Sequence, residues 1–123
     1  MGQVIDLATF TDRRGSLTVL EKILPFEIKR VYYIYDVDHS SRGGHRHLKT
    51  IQAAICITGS CRILLKSCNG CELTEIILDN PAKCLIIDPD DYHWMDNFSK
   101  NCVLLVLASE YYESSDYIHE PYT

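Results

Sequence analysis

Apolar and polar residues alternate along most of this chain in short runs, and turn-forming residues interrupt the runs at close intervals. Residues 3–10 (QVIDLATF) read as a first strand, 11–15 as a turn, and 16–21 (SLTVLE) as a second strand with Leu17 and Val19 on one face. Pro25 breaks the pattern, and 26–35 (FEIKRVYYIY) is rich in the β-branched and aromatic residues that pleated strands favour. Successive side chains of a strand point to opposite faces. Ile28, Arg30, Tyr32 and Ile34 therefore share one side, and Lys29, Val31, Tyr33 and Tyr35 the other. A polar loop follows at 36–44, then strand signals at 45–49, 51–58, 60–66, 71–78, 84–88 and 102–109. Gly59, the Asn69-Gly70 pair and the segments 79–81 and 88–91 mark turns between them. The tail from Tyr111 reads as a short helical turn and a loose end. No stretch carries a convincing helical period. The prediction is one all-β domain over 1–123, a sandwich or barrel.

Composition narrows the class. With 123 residues, 46% hydrophobic and 24% charged, the chain can bury a core without metal or disulfide staples. No apolar run approaches the roughly 20 residues of a membrane helix, and the N-terminus lacks the pattern of a secretory signal. Six cysteines raise a disulfide or zinc reading. Cys68-Asn69-Gly70-Cys71 is a CxxC with no second CxxC to complete a tetrahedral site, and its Asn-Gly is a strong hairpin signal. Cys56, Cys61, Cys84 and Cys102 sit in apolar runs, where free cysteine behaves as a small hydrophobe. The expectation is reduced, structural thiols in a cytoplasmic protein.

Charge is divided unevenly. Residues 1–62 hold nine Lys/Arg against six Asp/Glu, and 63–123 hold three against eleven. Every arginine (13, 14, 30, 42, 46, 62) lies in the first part. Arginine suits bidentate recognition of phosphate. The acidic remainder argues against nucleic acid, and a small phosphorylated ligand fits better.

Candidate chemistry concentrates in Arg42-Gly43-Gly44-His45-Arg46-His47 and the stretch that follows it to Gly59. His45 and His47 project to one face of an extended segment. Gln52 comes five residues after His47, Gly59 seven after that, and a later Pro89 is followed by His93 and Asn97. This grammar resembles the two motifs of the cupins, which implies a cupin-type jelly roll. Two features depart from the family pattern. Gln52 stands where the metal-binding pattern has Glu, and Gly43 and Gly44 precede the histidines too closely. Replacing a carboxylate by an amide removes a charge and a strong ligand, which weakens a metal site built from His45, His47, Gln52 and His93.

Longer blocks carry a closer resemblance over nearly the whole chain. They are Arg14-Gly15-Ser16-Leu17, the run from Pro25 to Ile34, Arg42 to His47, Gly59 to Arg62, Val103 to Tyr112, and Asp116-Tyr117-Ile118. In these the chain resembles the nucleotide-sugar 3,4-ketoisomerases, metal-free cupins acting on dTDP-4-keto-6-deoxyglucose. The resemblance implies an intramolecular oxidoreductase that needs no cofactor. It also implies a homodimer whose protomers exchange N-terminal strands, with a dTDP-linked 4-keto-6-deoxyhexose as ligand and a place in making amino-deoxysugars for surface glycans. By the same resemblance His45 is the base, Tyr32 delivers the proton to C4, and His47 bonds the shuttling oxygens. Arg14, His93 and Gln52 are candidate donors to the developing enolate, and Arg30 and Arg62 candidate pyrophosphate clamps. An Arg and His at positions 14 and 93 resemble the members with galacto-configured product. The readings set against this one are a metal-dependent cupin, a 3,5-epimerase and a non-catalytic sugar-binding module. His39 and His119 are expected to be structural, and Arg46 to lie on the surface.

Overall fold

The protein is described by a computed structural model covering residues 2–123. Two five-stranded antiparallel sheets and a two-stranded ribbon make up the fold. The first sheet runs β1 (Gln3–Asp6), β9 (Lys83–Ile87), β6 (Gln52–Thr58), β11 (Val103–Ala108), β4 (Arg30–Ile34). The second runs β12 (Tyr117–Ile118), β5 (Arg42–His47), β10 (Tyr92–Asp96), β7 (Cys61–Lys66), β8 (Thr74–Leu78). Nearly every residue outside these strands is loop, and a single 3-10 turn (Ser114–Asp116) precedes β12. The all-β jelly roll expected from the sequence is the observed fold.

Alternation builds the space between the sheets. Ala54 and Cys56 of β6, Leu104 and Val106 of β11, Leu85 and Ile87 of β9, Ile63 and Leu65 of β7 and Met95 of β10 meet in one buried cluster. A second cluster covers the back of the first sheet, where Ala53, Ile55, Cys84, Ile86 and Leu107 pack under Leu20, Leu24 and Phe26. Strand β6 is therefore buried on both faces, which is why QAAIC shows no polar alternation.

The expected elements need several corrections. Strand 3–10 is broken at buried Leu7, whose N–H donates to the Ala82 carbonyl at 2.8 Å. Beyond it, β2 (Ala8–Asp12) and β3 (Gly15–Val19) form a separate exposed ribbon. The strand expected over 26–35 is confined to β4, and 20–28 instead straps the back of the sheet. Residues 42–44, expected as loop, belong to β5. Gly43 makes that possible: its φ of 85° favours glycine, and a Cβ there would stand 3.1 Å from the His93 carbonyl oxygen. Strand β10 was not expected, since acidic turn residues precede it and only five residues alternate. The tail is not loose, because β12 pairs with β5, Tyr117 opposite His47. Cys68 and Cys71 form a disulfide, against the expectation of reduced thiols throughout, while Cys56, Cys61, Cys84 and Cys102 are free and buried.

Candidate active site

Three histidines converge because β5 and β10 are neighbours in register. His45 lies opposite His93, and His47 follows one pleat later on the same face. The His45 ring centroid is 4.9 Å from each of His47 and His93. Facing strands of the other sheet supply Tyr32 and Gln52, joined by a 2.9 Å hydrogen bond from the Gln52 amide to the Tyr32 hydroxyl. The Arg30 guanidinium lies 4.6 Å above the Tyr32 ring and donates to the Tyr117 hydroxyl at 3.2 Å. Tyr117 closes the group, its ring 4.7 Å from His45 and 4.4 Å from His47. Six of the expected residues (Arg30, Tyr32, His45, His47, Gln52 and His93) thus share one site.

Arg14 and Arg62 do not. Arg14 sits at the tip of the β2–β3 ribbon, exposed and paired with Asp12 at 2.6 Å. Within one chain its guanidinium is engaged by Asp12 on the ribbon rather than by the histidines, so its expected role needs another route. Arg62 makes a bidentate pair with Asp96, both bonds 2.7 Å. Its neighbours Cys61 and Ile63 are buried, so Arg62 points outward from β7, away from the face that holds His93. Within one chain it is held by Asp96 and faces away from the histidines.

Other residues were missed or misjudged. Asp116 is buried and accepts hydrogen bonds from His47 Nδ1 at 2.9 Å, the Lys49 amide at 2.8 Å and the Thr50 hydroxyl. His119, expected to be structural, stands 6.1 Å from His45. Arg46 is not a free surface charge, for it pairs with Asp90 and lies 5.2 Å from the Tyr122 ring. The only sequence signal for Asp116 and Tyr117 was the Asp-Tyr-Ile block. Their polar tail carries no periodicity that places them here.

Electrostatics follow from burial. Desolvation, reinforced by His93 and His47, pushes the His45 pKa down to about 3. Burial pushes His93 down to about 4. His47 is also lowered by burial, although Asp116 opposes the shift. Asp116 remains below the usual carboxylate range because its hydrogen bonds outweigh its own burial. Burial raises the Tyr32 hydroxyl, with Arg30, Gln52 and Arg42 pulling the other way. At neutral pH the site thus holds unprotonated imidazoles and a protonated phenol, the starting states of a base and an acid.

Both outer histidines have their orientation fixed from behind. His47 gives Nδ1 to Asp116 and His93 gives Nδ1 to the Asp91 carbonyl at 3.0 Å. That leaves Nε2 of each, together with Gln52 Oε1, buried and without a protein partner. Buried polar atoms are nearly always paired, so three orphans in one cluster mark a place for a polar ligand. A metal does not fit as well. Among the described residues, the ligand atoms of the histidines do not form a group converging within 4.8 Å, as metal donors would.

A family model described as FdtA, WxcM-like, C-terminal, matches residues 2–123. The TDP-4-oxo-6-deoxy-α-D-glucose-3,4-oxoisomerase of Aneurinibacillus thermoaerophilus is 46% identical over 121 residues, covering 96% of this chain and 86% of that protein. QdtA, a sugar 3,4-ketoisomerase from Thermoanaerobacterium thermosaccharolyticum solved with TDP, is 45% identical with a TM-score of 0.91, covering 97% of this chain and 88% of its own. Its double mutant, Tyr→Arg and Arg→His, is 47% identical (TM-score 0.92), with 97% and 87% covered. A His→Asn mutant of QdtA, solved with TDP-4-keto-6-deoxyglucose, is 44% identical (TM-score 0.92), again with 97% and 87% covered. A dTDP-4-dehydrorhamnose 3,5-epimerase from Bacillus anthracis has a TM-score of 0.82 at 13% identity, covering 94% of this chain and 76% of its own, and so shares the fold alone. This chain belongs to the FdtA family of sugar-nucleotide 3,4-ketoisomerases.

Proposed function

We propose that this enzyme converts dTDP-4-keto-6-deoxyglucose to a dTDP-3-keto-6-deoxyhexose of galacto configuration, by proton transfer through an enediol. The observation that carries the reading is the buried set of neutral histidines beside Tyr32, with three polar atoms awaiting a ligand. His45 removes the proton from C3 of the sugar. Electron density moves onto the C4 oxygen, which takes up a proton to give the enediol; the C3 hydroxyl then gives up its proton as C4 receives one from the side of Tyr32, leaving the carbonyl at C3. His47, its tautomer fixed by Asp116, presents Nε2 to a sugar hydroxyl. Gln52 and His93 bond the oxygens that exchange charge. Arg30, held over Tyr32, supplies the positive charge for the developing enolate or the near phosphate.

The assignment of configuration rests on Arg14 and His93. On a chain of 123 residues one position is a little under one percentage point. Identity to QdtA rises from 45% to 47% in the form with a new Arg and a new His, and falls to 44% in the form that loses a His. Both changes match the chain having Arg and His at the two exchanged positions and His at the third. Arg14 reaches a site through a homodimer that exchanges N-terminal segments. In support, Phe10 and Leu17 leave apolar side chains exposed on the β2–β3 ribbon beside an open hollow of about 560 Å3. A 3-keto product is the substrate form for an aminotransferase, and on this reading the enzyme serves the making of an amino-deoxysugar for surface glycans.

The test is incubation with dTDP-4-keto-6-deoxyglucose in deuterated water followed by proton NMR. Deuterium at C4 beside a C3 ketone is expected, and a parallel reaction in ordinary water should show the small H4–H5 coupling of an axial C4 hydroxyl. A lack of exchange overturns the proposal, and exchange at C5 indicates an epimerase.

A further inference from the structure

Three of the four free cysteines meet at one point, at the end of the barrel away from the histidines. Cys56 (β6), Cys61 (first residue of β7) and Cys102 (just before β11) are each 3% exposed or less, and their sulfurs all lie within 4.8 Å of one another. Cys56 and Cys102 Sγ are 3.6 Å apart. Gln52, Ala54 and Cys56 share one face of β6, so the cluster lies four residues, about 13 Å, along the strand from the catalytic amide.

We propose that Cys56, Cys61 and Cys102 form a site for a soft, thiophilic metal ion such as Cu(I) or Cd(II). A metal bound trigonally by thiolates at roughly 2.3–2.5 Å holds its sulfurs roughly 4.0–4.3 Å apart. The observed spacing needs only small rotations to reach that. Soft thiolate sets select such ions over the hard cations that carboxylates take. Three thiols binding Cd(II) release three protons and leave one net negative charge, whereas three isolated core hydrophobes give the thiols no reason to converge. Cys84 serves as the contrast. It is equally buried, stands apart in the other core cluster, and burial pushes it up to about 11. Two short connections cover the trio. Gly59 packs against Cys102, Ser60 exchanges hydrogen bonds with Ser99, and a surface cleft of about 250 Å3 is lined by Tyr33, Tyr35, Asn101 and Cys102.

The experiment uses the reduced full chain carrying C68S and C71S, so that the CxxC pair contributes nothing. Cd(II) is added to the folded protein and, in parallel, is present during refolding from urea. The readouts are the ultraviolet thiolate-to-cadmium band and protons released. The expected result is one Cd(II) per chain, three protons and a raised Tm. Adding C56A, C61A or C102A should remove or weaken the band, while adding C84A should leave it intact; retained isomerase activity shows that each variant is folded. A band absent under both conditions, one undiminished in all three of C56A, C61A and C102A, or one that disappears with C84A, overturns the site.

Discussion

Asp116 accepts three hydrogen bonds in a buried setting, one of them from the histidine next to the proposed base. Replacing it with Asn keeps the shape but allows the wrong tautomer of His47, so Nε2 no longer accepts. Asp116→Asn should cost about tenfold or more in kcat, with KM changed less. His45→Asn and Tyr32→Phe remove a proton carrier and should each lower kcat by about 10²–10⁴. Arg62→Ala should leave kcat/KM within about twofold, since surface pairs far from chemistry contribute little. A large loss there would return Arg62 to the site. Its displacement was in fact legible in the sequence, because Ile63 and Leu65 as core residues put Arg62 on the opposite face. Alternation correctly gathered Arg30 and Tyr32 on one side of β4. Asp116 was hidden, since it acts through contacts separated by more than sixty residues.

At the scale of elements, β12 joins two jobs. It adds an edge strand to β5, and it brings Tyr117 and Asp116 against the histidines. Both core clusters lie in other strands. A chain ending after Glu113 should therefore keep its cooperative thermal transition, lose a few degrees in Tm, and lose isomerase activity. Activity within tenfold of the full chain would show that the tail is dispensable. Most strands of five or more residues were readable from the sequence, β10 excepted. The two-residue β12 was not, because pairing so short is decided by the neighbour it meets. The β2–β3 ribbon was read as ordinary strands for a related reason. Alternation predicts extension, but it does not show whether the apolar face has anything to cover within its own chain.

For the whole molecule, the buried histidines make stability depend on pH. Above about 6.5 they are neutral in both folded and unfolded chains. As pH falls below that value the unfolded chain takes up protons that His45 and His93 resist until about 3 and 4. Buried His93 removes up to about 1.4 kcal/mol of stability per pH unit through that window, and His45, which is more open to solvent, removes less. Thermal unfolding should show Tm flat between pH 7 and 8 and falling from 6.5 toward 4.5, with a shallower fall for His93→Gln. A Tm independent of pH in the wild type would contradict the buried neutral pair. The same low values put the acid limb of kcat/KM well below the usual histidine range.

The distance between Arg14 on its ribbon and the histidines in the barrel also has a genetic reading. Under the exchanged homodimer proposed above, one chain's Arg14 serves the other chain's His45. A dimer of one His45→Asn chain and one Arg14→Ala chain then holds one doubly damaged site and one wild-type site. Co-expression of the two chains should give mixed dimers with wild-type activity and product at one site, more than either chain shows alone. If both residues serve the same chain, the mixture stays as inactive as its parts.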